Sequence, residues 1–187
     1  RPTKWGILTE DNADGQGLGA GVKEVAKKHP WAQIVEYQTY TPGTKDYSSV
    51  ILKFKKAECD AIVVLCSPAD GITFTKQCKD QDFSPRFTMG WKGFWPTQYM
   101  EGLGADSNYI HHDGFWSEDL PYPYAKELGT AYREAHNGVD SVSIGLPYAA
   151  VQILAEAINR ADSFEPGPVR DEIYNGTFKG TTMGDVT

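Results

Sequence analysis

The sequence predicts an α/β protein built on a parallel sheet. Three observations carry that prediction. Short apolar runs alternate with amphipathic stretches through the first half of the chain. The clearest run, Asp60-Ala-Ile-Val-Val-Leu-Cys66, is continuously apolar, as a strand covered by helices on both faces must be. The helical stretches stop at breakers, Pro30 after the first and Ser84-Pro85 after the third. Right-handed crossovers then reduce the topology to a few choices.

The elements follow in order. Trp5-Gly-Ile-Leu-Thr9 is a short run of strand type. Residues 15–29 are expected to be helical, with Leu18, Val22, Val25 and Ala26 on one face. Gln33-Ile-Val-Glu-Tyr37 is a strand rich in β-formers, and Thr41-Pro42-Gly43 is a turn. The next helix takes Thr44 or Asp46 as its cap and aligns Tyr47, Val50, Ile51 and Phe54. Its Lys53, Lys55 and Lys56 suit the negative end of the helix dipole. After the apolar strand comes a helix over 70–83, a strand over 86–89 and a weaker strand over 107–112. The second half reads differently. Helices are expected over 123–136, over 147–161 and from Gly167-Pro168 to Tyr174, and no strand stands out between Trp116 and Thr187. The helix after Pro147 carries Ala150, Val151, Leu154, Ala157 and Ile158 on one face, which needs a sheet that this half does not supply.

Composition narrows the function classes. At 187 residues and 40% hydrophobic the chain can bury a core, and no apolar stretch approaches a membrane span. The net charge of −7 argues against nucleic acid or an anionic membrane as the main partner. Cys59, Cys66 and Cys78 form no C-x-x-C and no zinc spacing; Cys59 and Cys78 pair in an oxidising compartment or all three are buried thiols. His111-His112 points to opposite faces of a strand, so the two do not share one metal ion.

Gly15-Gln-Gly17-Leu-Gly19-Ala20, with Glu36 further on, matches a dinucleotide fingerprint on paper. The spacing weakens it, because Glu10 to Asp14 separate the glycines from the strand and bring acids to a would-be pyrophosphate. The bland alternative is a helix start that approaches the sheet closely. More informative is Gly90-Trp91-Lys92-Gly93-Phe94-Trp95-Pro96, which follows the fourth strand at its carboxyl end, where open α/β sheets bind ligands. Flat apolar surface beside one cation suits an organic anion or an aromatic ring. Phe115-Trp116 adds aromatics after the fifth strand, and ligand contact is expected from Trp91, Lys92 or Trp116.

Several segments carry a resemblance in the same order. They are Gly6-Ile-Leu8 with Gly15-Gln-Gly17-Leu18, then Thr44-Lys-Asp-Tyr-Ser48 leading to Cys59-Asp60-Ala-Ile-Val63. Tyr148-Ala-Ala-Val-Gln152, Leu154-Ala-Glu-Ala-Ile158 and Phe178-Lys-Gly180 complete the set. On these the chain resembles the type I periplasmic solute-binding proteins of ABC importers, in the branched-chain amino acid and amide family. The resemblance implies a three-layer, Rossmann-like lobe over residues 1–115, which is the family's C-terminal, ligand-binding lobe. Residues 116–187 would be a hinge crossing and helices of the other lobe, incomplete in this chain. It places ligand contacts at Asp14, at Ser67 and at Lys92, where amino-acid binders commonly carry an acid. A cation there disfavours an ammonium and favours a carboxylate.

The function implied is binding, without catalysis, cofactor or metal. A small organic ligand (amino acid, amide or carboxylate, aromatic or not) sits in an interlobe cleft for delivery to ABC permease subunits. The compartment is periplasmic or extracellular, with or without a lipid anchor, and exposed helices of the incomplete lobe are a route to a homo-oligomer. The alternatives are a ligand-sensing receptor or regulator of the same fold, and an NAD(P)-dependent enzyme using the Gly15 loop.

Overall fold

A computed structural model describes residues 1–138 and 143–187. The chain divides into two compact units, Arg1–Asp113 and Gly114–Thr187.

The first unit is a five-stranded, all-parallel sheet in the order β2-β1-β3-β4-β5. Its elements are β1 (Lys4–Glu10), α1 (Ala13–Lys27), β2 (Gln33–Tyr40), α2 (Ser48–Lys56), β3 (Ala61–Cys66), α3 (Pro68–Asp80), β4 (Phe87–Lys92), α4 (Thr97–Leu103) and β5 (His111–His112). The strands and crossover helices read from the sequence are all present; α4, formed by the residues after the aromatic cluster, is additional. Every residue of β3 is buried, as its continuous apolar run requires. One face of the sheet holds the core. Leu8, Ile62, Val64 and Cys66 meet Val50, Ile51 and Phe54 of α2, Phe74 of α3, and Tyr99 and Leu103 of α4. The expected stripe of α2 is therefore the observed one. Its cap differs in detail: Tyr47 holds the N-cap position, and Asp46 Oδ1 accepts from the Ser48 amide at 2.8 Å.

α1 lies against β1 and β2, with Gly15 and Gly19 buried and Leu18, Val22 and Ala26 of the expected face half-buried beside them. A β-carbon on Gly15 would lie 1.9 Å from the Glu10 carbonyl oxygen, and one on Gly19 would lie 2.3 Å from Tyr37 Oη. Contact this close needs glycine, and it turns Val25 outward, where it is 57% exposed. All three cysteines are free and buried, which leaves the Cys59–Cys78 pairing unformed. Burial pushes the Cys59 thiol up to about 11 and the Cys78 thiol to about 12, so both stay neutral at physiological pH.

The second unit contains α5 (Ala125–Ala135), α6 (Gly145–Ala161), α7 (Pro166–Asn175), β6 (Phe178–Thr181) and β7 (Gly184–Val186). The last two correct the expectation of no strand in this half. They form an antiparallel hairpin whose reversal puts Gly184 at φ +83°. Strands of four and three residues, each containing glycine, are too short to show a period of two. Phe178 of this hairpin packs with Ala157 of α6 and Val169 of α7. The buried line of α6 runs through Gly145, Ala149 and Ala157. Val151 is consequently 66% exposed and Leu154 45%, although both belong to the expected apolar face.

Candidate functional site

β1 is followed by β2 on one side and β3 on the other, so the strand order reverses between β1 and β3. At such a reversal the crossovers leave in opposite directions and open a crevice beyond the carboxyl ends of the strands. Glu10, Cys66 and Lys92 are the last residues of β1, β3 and β4 at that edge. A depression of about 520 Å³ lies there, lined by Asp14 and Leu18 of α1, Leu65, Trp91, Lys92 and Trp95 among others. A second depression, of about 450 Å³, lies toward the start of β4, lined by Ile62, Phe83 and Arg86 among others. Only the first of these lies at the carboxyl edge beside the reversal of strand order, where open α/β sheets bind ligands.

Lys92 is built differently from the loop residue the sequence suggested. It ends β4, paired with Cys66 of β3, and its backbone turns to φ +60°. The Gly93 amide donates to the Trp91 carbonyl at 2.7 Å, which closes a three-residue turn centred on Lys92. A side chain held in this left-handed region costs on the order of 1–3 kcal/mol of backbone strain. Gly93 makes the turn feasible, because a β-carbon there would lie 2.4 Å from the backbone of Ser67.

The turn delivers the Lys92 ammonium to two carboxylates. Nζ lies 3.1 Å from Glu10 Oε2 and 3.4 Å from Asp14 Oδ2. The two acids are unlike. The Glu10 side chain is 3% exposed, and Asn12 Nδ2 also donates to it at 2.8 Å. The Asp14 side chain is 71% exposed. Burial would pull the Lys92 ammonium down, but its hydrogen bonds and attraction to Glu10, and then to Asp14, outweigh it. The net shift is above the ordinary lysine value. The charged form of Lys92 is thus favoured, with one ammonium set between two acidic side chains.

Above the triad, Trp91 and Trp95 pack edge to face with ring centroids 6.0 Å apart. The Trp95 indole donates to Asp113 Oδ1 at 2.8 Å, which fixes its ring. The Trp91 indole nitrogen is buried and has no hydrogen-bond partner among the described residues. Asp14, Trp91 and Lys92 are therefore brought together, as the sequence suggested. Ser67 stands beside them as the N-cap of α3, where it is committed to Asp70: its hydroxyl donates to Asp70 Oδ2 at 2.8 Å and accepts from the Asp70 amide at 3.3 Å. Asp70 is 3% exposed and also receives the Gly43 amide and the Tyr47 hydroxyl, so it ties the β2–α2 turn to α3. Trp116 belongs to the second unit. It is 3% exposed, its indole donates to the Thr182 carbonyl at 2.9 Å, and its ring covers Gly145.

Sequence reasoning passed over Glu10. The available signal was an acid closing an apolar strand, directly after Ile7-Leu8-Thr9. Around the glycine loop, the Gly15 amide is taken by Asn12 Oδ1 at 2.9 Å. The start of α1 is lined by Asp11 and Asp14, an unfavourable seat for a pyrophosphate. Among the described residues no His, Cys, Asp or Glu group is arranged to hold a metal ion, and no helix is long and apolar enough to cross a membrane.

Comparison with known proteins gives a consistent result. The family model described as periplasmic binding protein matches residues 1–187. The Leu/Ile/Val-binding protein homolog 3 of Brucella melitensis is 24% identical over 98% of this chain and 49% of its own length. The branched-chain amino acid transporter substrate binding protein of Streptococcus pneumoniae, solved with isoleucine, superposes with a TM-score of 0.83. It is 22% identical over 100% of this chain and 52% of the other. A solute binding protein of an ABC transporter from R. palustris, solved with benzoate, superposes with a TM-score of 0.84 at 13% identity, over 98% of this chain and 51% of the other. The chain spans about half the length of the relatives it matches.

Proposed function

The chain belongs to the periplasmic binding protein family, and from that premise we propose that it is part of the solute-binding component of an ABC importer. In this reading residues 1–115 are the ligand-binding lobe, and residues 116–187 are a hinge crossing with helices of the other lobe. The edge at β1, β3 and β4 forms one wall of the ligand site. The ligand is a small organic molecule with a carboxylate and a flat apolar body. It is bound and handed to permease subunits at the membrane, from a periplasmic or extracellular location, and it is not chemically changed. Self-association through the exposed face of α6 is part of the same proposal.

The observation that carries the reading is the pairing of Trp91 and Trp95 with the Lys92 ammonium in one depression. An indole pair takes a planar apolar body, and the ammonium takes a carboxylate. Asp14 and Lys92 stand in that wall, with Ser67 at its border. The relatives solved with isoleucine and with benzoate both carry carboxylate ligands, which supports the class without naming the member.

Native mass spectrometry of the complete protein is the direct test. A co-purified carboxylate of small mass, released on denaturation, is the expected result. Titration of that molecule should change tryptophan emission in the wild type and lose at least tenfold in affinity in Lys92→Met. Equal affinity in the variant would remove the site from this edge.

A further inference from the structure

The cation that the proposed ligand needs is already occupied, and its two occupants differ in how easily they leave. Lys92 Nζ meets Glu10 at 3.1 Å and Asp14 at 3.4 Å. Glu10 is nearly inaccessible and held by Asn12, so it stays. Asp14 projects from the first turn of α1 with a side chain 71% exposed, and lines the same depression as Trp91 and Lys92. A ligand carboxylate approaching Lys92 meets the Asp14 carboxylate at the same ammonium, and two anions at that distance repel.

We propose that Asp14 is a resident competitor: it holds the ligand-facing side of Lys92 in the empty site, and a ligand carboxylate must displace it. The proposal rests on the carboxylate reading of the site above. Displacement is sterically cheap, because the exposed Asp14 side chain moves off by rotation while the Glu10 carboxylate, 3.1 Å from Nζ, keeps the ammonium in place. The consequence is selectivity between two kinds of carboxylate. A plain monoanion gains Lys92 and leaves Asp14 unpartnered. A zwitterion gains Lys92 with its carboxylate and offers its ammonium to the displaced Asp14, so one ion pair is exchanged for two. Asp14 therefore raises the threshold for plain carboxylates and lowers it for amino acids.

Calorimetric titration of the complete protein with benzoate and with isoleucine tests this, using wild type, Asp14→Asn and Lys92→Met. Asparagine keeps the size of the side chain and removes the charge, and an unchanged thermal midpoint shows that α1 still starts correctly. The expected result is a crossed one. Asp14→Asn binds benzoate about five- to tenfold tighter than wild type and isoleucine several-fold weaker. The benzoate gain shrinks toward onefold as salt is raised from about 20 mM to about 500 mM, because salt screens the exposed pair. Benzoate binding no tighter to Asp14→Asn than to wild type, including no detectable binding to either, overturns the proposal. The two readings fail separately. Benzoate affinity lost in Lys92→Met but unchanged in Asp14→Asn removes the competitor and keeps the site. Affinity unchanged in Lys92→Met removes the site itself.

Discussion

At the scale of single residues, the Lys92–Glu10 pair joins stability to binding. Glu10 is a nearly inaccessible acid, and Lys92 is its cation. Removing one member of such a pair costs more than the pair contributes, because the partner is left charged in a poorly solvated place. Lys92→Met is therefore expected to lower unfolding free energy by about 2 kcal/mol. The double variant Glu10→Gln with Lys92→Met should recover half or more of that loss, since the stranded charge is gone. Urea denaturation of the four species of this cycle measures it. A double variant as unstable as the sum of the two singles would mean that the residues do not act on each other. The carboxylate affinity should stay low in both variants that lack the ammonium, so stability and binding separate.

At the scale of elements, the start of α1 positions the triad, and its glycines are not equivalent. Gly15 sits against the Glu10 backbone, and a methyl there forces α1 away from β1. At Gly17 and Gly21 a methyl would meet nothing within 4 Å. Gly15→Ala is expected to cost about 2 kcal/mol as overpacking against fixed backbone. Gly17→Ala and Gly21→Ala are each expected to add about 0.5–1 kcal/mol through helix propensity. Chemical denaturation of the three variants tests the contrast; equal behaviour would show that α1 does not rest on Gly15. What was legible in the sequence follows the same division between local and distant causes. β3 and the α2 stripe were legible because burial repeats within a few residues of chain. Trp91 and Lys92 were legible as residues at a strand's carboxyl edge, and Asp14 only through the family resemblance. The triad was not, because Lys92 and Glu10 are 82 positions apart and their meeting depends on sheet order. The hairpin of β6 and β7 was too short to show a period, and the outward turn of Val25 followed from the close contact at Gly15 and Gly19.

At the scale of the whole molecule, the two units handle their apolar surface differently. In the first, helices α2, α3 and α4 cover one sheet face and the core is continuous from Leu8 to Leu103. In the second, the buried cluster is small, centred on Ala157, Val169 and Phe178. Its longest helix, α6, packs with small residues and leaves Leu146, Tyr148, Val151 and Leu154 between 41% and 66% exposed. Tyr148, Val151 and Leu154 recur at i, i+3 and i+6 and share a side of the helix away from Ala149 and Ala157. A contiguous apolar face of this kind seeks another surface. For the 187-residue chain produced by itself, the surface at hand is a second copy. Sedimentation velocity is expected to show reversible self-association at micromolar concentration, and Val151→Lys with Leu154→Glu should shift the population to monomer without lowering the thermal midpoint, because neither side chain packs in the cluster around Ala157. A wild-type chain that stays monomeric up to about 100 µM would show that the exposed face of α6 is tolerated in water.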